Sequence, residues 1–209
     1  MAMGTIANIQ ASEMRNHLRR FIELATKTID LETPVFEFGA LQVHGDSELE
    51  DLRPLFPGQT YVGCDMRPGA GVDMVLNLHH LDLPDASVGT AICMDTMEHV
   101  EYPRQAIDEL HRVLQPNGVL IMSSVMNFPI HGYPNDYWRF TPEGFRSLLK
   151  NFNSSFVGFD GPEDFPRTIV AVAFKGEAPD LAAFNAEFLA WQARNNKNIE
   201  HITRHGLKS

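Results

Sequence analysis

Residues 82–122 read DLPDASVGTAICMDTMEHVEYPRQAIDELHRVLQPNGVLIM, and the fold turns on them. An apolar run from Val88 to Met94 ends in a polar cluster, Asp95-Thr96-Met97-Glu98-His99. Ile107, Leu110, Val113 and Leu114 follow at helical spacing, and Gln115-Pro116-Asn117-Gly118 stops the helix, with Asn117 and Gly118 suited to a left-handed turn. A second apolar run, Val119 to Val125, completes a strand–helix–strand unit.

The same alternation extends outward. Met14, Leu18, Phe21, Ile22, Leu24 and Ala25 predict an amphipathic helix within 10–30, and Thr33-Pro34 ends it. Strands are expected at 35–39, 60–65, 73–76, 88–94, 119–125, 155–159 and 168–174. Helices are expected at 46–56, at about 103–114 and from Thr141, an N-cap followed by Pro142. A last helix begins near Pro179, and a polar tail that frays follows Asn195. Seven strands alternating with helices predict an α/β fold, a doubly wound, mostly parallel sheet with helices on both faces. Ligands of such sheets bind beyond the carboxyl ends of the strands. Gly39, Asp65, Asn77, Asp95 and Asn127 fall at those ends and define one rim.

Composition narrows the function. The 209 residues carry a formal net charge of −10, which argues against a general phosphate-backbone binder. No apolar run approaches the roughly 18 residues of a membrane span. The start shows no signal-peptide pattern, and the two cysteines, Cys64 and Cys93, each sit near the end of an apolar run. The expectation is a cytoplasmic protein without a disulfide.

Three segments, Leu83-Pro84-Asp85-Ala86-Ser87-Val88-Gly89, Glu98-His99-Val100 and Glu109-Leu110-His111-Arg112-Val113-Leu114-Gln115-Pro116-Asn117-Gly118, occur in this order. Together they resemble the second half of a class I S-adenosylmethionine-dependent methyltransferase of the type 11 group. The resemblance spans about residues 35–175 and implies a Rossmann-like seven-stranded sheet with its last strand antiparallel. It divides the chain into an N-terminal helical extension (1–34), the methyltransferase-like domain (35–176) and a C-terminal helix and tail (177–209). S-adenosyl-L-methionine is the implied cofactor.

Glu37-Phe38-Gly39-Ala40-Leu41-Gln42-Val43 stands where this group carries its glycine-rich first motif. Glu37 and Gly39 match. Leu41 and Val43 replace the later glycines, and Gly45 is displaced by two positions. The departure implies either a rerouted loop that still cradles the cofactor or a lost site. Asp65 ends the second strand at about the expected distance from Gly39, where one carboxylate accepts from both ribose hydroxyls. Met66 follows it. Asn77 and Leu78 stand where relatives contact the adenine, and Met94 or Asp95 where they pass the cofactor beyond the fourth strand. His79 and His80 are adjacent and point to opposite sides, so no metal site is expected there. Glu98 and His99 are either an acid–base pair or helix-start residues.

The acceptor is expected under His131-Gly132-Tyr133-Pro134-Asn135-Asp136-Tyr137-Trp138-Arg139-Phe140-Thr141-Pro142, which is aromatic and charged at once and similar to a run found in many type 11 enzymes. His131 and Asp136 are the candidate bases. Tyr133, Tyr137, Trp138 and Arg139 are the candidate acceptor contacts, unless the aromatic residues mainly roof the cofactor and Asp136–Arg139 is a structural pair. A small-molecule or glycan-like acceptor fits this loop, and a homodimer is compatible with the chain. The rival reading is a cofactor-free scaffold or regulatory protein that keeps the fold.

Overall fold

A computed structural model of the chain describes residues 2–43, 47–132 and 134–206, and side chains within 14–43, 49–132 and 134–194. Gly45 and Tyr133 lie outside the described residues. The elements run α1 (Ala2–Thr28), β1 (Val35–Phe38), α2 (Ser47–Glu50), β2 (Tyr61–Asp65), β3 (Met74–Val75), β4 (Val88–Cys93), α3 (Pro103–Val113), β5 (Leu114–Val125), α4 (Pro142–Leu148), β6 (Ser154–Asp160), β7 (Thr168–Phe174) and α5 (Ala182–Gly206).

The seven strands form one sheet in the order β3-β2-β1-β4-β5-β7-β6. β1 to β5 pair in parallel, and β7 runs antiparallel to both β5 and β6. The mostly parallel, doubly wound α/β sheet with an antiparallel β7 is therefore as the sequence implied. Strand order reverses between β1 and β4, which opens a crevice at their carboxyl ends.

Side-chain alternation sends each strand into two cores. Phe36, Phe38, Ala91, Cys93, Leu120, Met122, Ile169 and Ala171 face α3 and α4. Val35, Ile92, Val119, Ile121, Val170 and Val172 face α1 and α5. α3 turns Ala106, Ile107, Leu110 and Val113 inward, which is the periodicity that marked it in the sequence. α4 starts as its residues dictate: Thr141 Oγ1 accepts from the Gly144 amide at 3.1 Å, with Pro142 in the first turn. Both cysteines are buried free thiols. Among the described residues no helix is long and apolar enough to cross a membrane.

Arg112 explains the helix-end signature. It donates to the Leu81 and Leu83 carbonyls at 2.8 and 2.9 Å and to Glu109 and Asp85, so it clamps the chain before β4 onto α3.

Three local expectations are corrected. Among the described residues the helix over 46–56 is only α2 and a short 3-10 turn, Arg53–Leu55, and Pro57 biases Phe56 before it away from helical angles. Asn117 and Gly118 are not left-handed, and β5 begins at Leu114, because the register with β4 shifts between Val88 and Thr90 and absorbs the turn. α5 continues to Gly206, past the Asn195 where fraying was expected.

Candidate cofactor and acceptor cleft

A cleft of about 620 Å³ opens at the carboxyl ends of β1, β2, β4 and β5, at the point where strand order reverses. Its outer wall is α1, through Met14, Arg15, Leu18, Arg19 and Ile22. Glu37, Gly39, Ala40, Asp65, Met66, Asn77, Leu78, Met94 and Asp95, all expected around a cofactor, line it together.

Gly39 turns the chain sharply after β1 with φ +92, a region that favours glycine. The Gly39 and Ala40 amides both donate to the Cys64 carbonyl, at 2.8 and 2.9 Å, and fasten this turn to β2. A Cβ at position 39 would lie 2.0 Å from Thr96 Oγ1. Thr96 in turn donates to the Phe38 and Met94 carbonyls. In the loop beyond, the Gln42 amide donates to the Ala70 carbonyl, and Leu41 lies against Gly69, where a Cβ would come within 2.3 Å of its Cδ1. A Cβ at Gly71 would lie 2.3 Å from the Ala40 carbonyl. Glycines absent from the first motif are thus present in the segment facing it, and the backbones still approach closely.

Glu37 faces α1 on the same side of β1 as Val35. Its Oε2 accepts from the Tyr61 hydroxyl at 2.5 Å. Burial pushes its carboxyl up to about 7, which the Tyr61 hydrogen bond only partly offsets. Asp65 Oδ1 accepts from the Arg67 amide at 2.9 Å, and its carboxylate is held at the cleft wall with 10% of the side chain exposed. Asn77 Oδ1 caps a turn by accepting from the His79 amide at 2.9 Å.

The other end of the cleft is formed by Glu98, His99, His131, Asn135 and Tyr137. Asp95, with φ +43, receives a hydrogen bond from the Ser123 hydroxyl at 2.7 Å. Glu98 is fully buried and receives one from the Ser124 hydroxyl at 2.7 Å. Burial raises both carboxyls; Glu98 reaches about 8, with the neighbouring Asp95 adding to the rise. Burial also lowers His99, against the bond it makes to the Asn135 carbonyl.

The 127–140 loop is latched down. The Tyr137 and Trp138 amides donate to the Glu98 carbonyl, and the Trp138 indole donates to the Val100 carbonyl at 3.0 Å. Arg139 forks onto Asp136 at 2.5 and 2.7 Å and also reaches the Phe128 and Pro129 carbonyls. Of the acceptor candidates, His131 and Tyr137 line the cleft, whereas Asp136, Trp138 and Arg139 do not. The Arg139 guanidinium holds the Asp136 carboxyl well below the usual carboxylate range, which makes it a poor proton acceptor near neutral pH. The structural-pair reading of Asp136 and Arg139 describes their geometry.

Sequence reasoning did not assign Thr96, Tyr61 or the α1 wall to the site. Tyr61 was legible in principle, since it pairs with Val35 in register and so shares a face with Glu37. The α1 residues carry no local motif.

Residues 50–122 match the sequence model of a family described as methyltransferase domain. Among curated protein sequences none matches the chain. Solved structures agree in fold. A S-adenosylmethionine-dependent methyltransferase from Thermotoga maritima is 21% identical, with a TM-score of 0.53 over 80% of this chain and 96% of its own. The 1,6-didemethyltoxoflavin-N1-methyltransferase of Burkholderia thailandensis, with bound 1,6-didemethyltoxoflavin and S-adenosylhomocysteine, is 15% identical, with a TM-score of 0.59 over 81% of each chain. A chain from the complex of the Haloferax volcanii Trm112 methyltransferase activator with its methyltransferase is 16% identical, with a TM-score of 0.54 over 83% of this chain and 95% of its own. Residues 50–122 thus match a methyltransferase domain, and the fold is that of solved S-adenosylmethionine-dependent methyltransferases, whose cofactor is S-adenosylmethionine. The residues present fit that cofactor through the sharp turn at Gly39 and the carboxylate of Asp65 at the end of β2, both on the cleft.

Proposed function

We propose that this chain transfers the methyl group of S-adenosylmethionine to a small-molecule or glycan-like acceptor. The observation that carries this reading is the two-ended cleft, with glycine turn and strand-end carboxylate at one end and buried titratable groups at the other. Glu37, Gly39 and Ala40 hold the amino-acid part of the cofactor, and Asp65 and Met66 its ribose. Asn77 and Leu78 hold the adenine, and Met94 and Asp95 line the approach to the sulfur. When bound, the cofactor supplies an electrophilic methyl group with a good leaving group already in place.

The chain's own contribution is alignment and exclusion of water, which suffice for a nitrogen or thiol acceptor. A hydroxyl acceptor must also lose a proton, and His131 is the group at the cleft suited to receive it. Asp136 supports His131 rather than replacing it: its carboxylate accepts from the His131 amide at 2.7 Å and lies 3.3 Å from the imidazole. Tyr137 orients the acceptor directly, and Trp138 and Arg139 do so through the loop they hold.

The scaffold alternative is the weaker reading, because Leu41 is accommodated against Gly69 across the loop. S-adenosylhomocysteine binding separates the two readings. At about 100 times its dissociation constant the ligand contributes about 2.7 kcal/mol, a melting shift of roughly 5–10 °C for a chain of this size. Absence of binding at millimolar ligand, by calorimetry and thermal shift together, selects the scaffold.

A further inference from the structure

Glu98, His99 and His131 meet at the acceptor end of the cleft, and one ligand-type atom from each lies within 4.8 Å of the others. Glu98 is 0% exposed. One of its oxygens is held by Ser124; the other, Oε1, is buried without a hydrogen-bond partner in the protein. Buried carboxylate oxygens are ordinarily paired or bound to a metal. Both imidazoles are set from behind. His99 Nδ1 lies 2.5 Å from the Asn135 carbonyl, and His131 Nδ1 lies 3.1 Å from the Pro129 carbonyl and 3.3 Å from Asp136. An Nδ1–H given to a carbonyl or carboxylate places the imidazole lone pair on Nε2, the arrangement found behind metal-ligating histidines.

We propose that Glu98, His99 and His131 form a binding site for a divalent transition-metal cation. Two imidazole nitrogens and one carboxylate oxygen suit manganese, iron, cobalt or zinc, whereas magnesium and calcium prefer oxygen ligands throughout. Three protein ligands leave coordination positions toward the cleft. The consequence for the acceptor rests on the methyl-transfer reading: a molecule bearing a hydroxyl oxygen takes one of these positions and releases its proton to solvent more readily when bound. His131 then acts as a ligand, not as a base.

The test is a titration of the chelator-treated full chain with Co²⁺ and with Zn²⁺, followed by calorimetry and, for Co²⁺, visible absorption. One cation should bind per chain, with visible bands of nitrogen and oxygen ligation. His99→Ala and His131→Ala should weaken binding by more than the about 10- to 100-fold expected for Asp136→Asn, which removes only an outer partner. His80→Ala should leave affinity unchanged. Glu98→Gln probes the buried ligand; should it fail to fold by circular dichroism, the two histidine variants carry the test. Absence of stoichiometric binding at millimolar cation overturns the site, as does binding indifferent to both histidines. S-adenosylhomocysteine affinity is measured on the same samples. Cation binding without it removes methyl transfer and leaves the metal site standing, whereas the converse removes only the metal site.

Discussion

Gly39 and Thr96 meet across the gap between β1 and β4 so closely that a methyl group on Gly39 would lie 2.0 Å from the threonine hydroxyl. The contact joins the two strand ends between which the cleft opens. Gly39→Ala therefore meets two obstacles: a backbone at φ +92 and the Thr96 side chain. The strained backbone alone costs on the order of 1–3 kcal/mol. Adding Thr96→Ala should relieve the clash and recover part, but not all, of the loss. Urea denaturation of both single variants and the double variant checks this; a Gly39→Ala protein as stable as the parent would show that the turn is not held as described.

Asp65→Ala should leave the fold intact and weaken S-adenosylhomocysteine binding. Among the described residues its carboxylate meets the Arg67 amide and side chain, a local turn contact, so most of its effect is on the ligand. Loss of charge-assisted bonds to two hydroxyls should cost about 1.5–3 kcal/mol, or about 10- to 100-fold in affinity. Calorimetry reads the change, and an unaltered dissociation constant would place the ribose elsewhere.

Glu37 imposes a pH dependence on the ligand-free protein. Its folded pKa, about 7, lies above its ordinary value of 4.5 because burial disfavours the charge. The folded state thus binds this proton more tightly than the unfolded state. The stability it contributes is fully present below about pH 4.5 and is lost as pH rises through about 7. Glu37→Gln keeps an acceptor for Tyr61 and removes the titration. The variant should be more stable than the parent above pH 7, on the order of 1–3 kcal/mol, and converge with it in acid. Parallel stability–pH curves for the two proteins would contradict this assignment.

Asp136 has the opposite sign. Its carboxyl is held low by Arg139, so its contribution is present above its ordinary value near 3.8 and is lost as pH falls below that range. Asp136→Asn should cost about 1–3 kcal/mol at neutral pH, since the Arg139 fork loses its charged partner, and the deficit should shrink below about pH 4. Thermal melts at pH 7 and pH 3.5 measure both. A variant of full stability whose loop still resists proteolysis would remove Arg139–Asp136 as the brace of the 127–140 segment.

Much of this architecture is legible in the chain because its signals are local. Val88 to Met94, the helical spacing of Ile107, Leu110 and Val113, and the Thr141-Pro142 cap each encode one element within a dozen residues. The strand-end residues Gly39, Asp65 and Asp95 then follow from topology alone. What stayed hidden depends on contacts between distant segments. Nothing near Leu41 announces that Gly69 will face it, and nothing near Met14 or Arg15 announces that α1 will border a cleft. Likewise, Glu98 and His99 are read as a pair from their adjacency, but His131 joins them only through the fold. The turn at Asn117-Gly118 departs from its residues' own preferences for a related reason: its conformation follows a register shift against β4.

One contact reaches across nearly the whole chain. The Trp191 indole donates to the His17 carbonyl at 2.9 Å, its rings stack on the His17 imidazole at 3.8 Å, and Phe21 lies edge-on to Phe184 and Phe188. The helix that walls the cleft is thus anchored by Trp191, 174 positions beyond His17. Local opening in such an arrangement couples the two helices, because neither keeps its partner when the other departs. A ligand that touches Met14 or Leu18 should therefore slow amide hydrogen exchange in α5 around Phe184 and Trp191, which it never contacts. Protection confined to the strand ends would show that the two helices open independently. If the coupling holds, substitutions on the far helix tune occupancy of the cleft by changing how often its wall is in place.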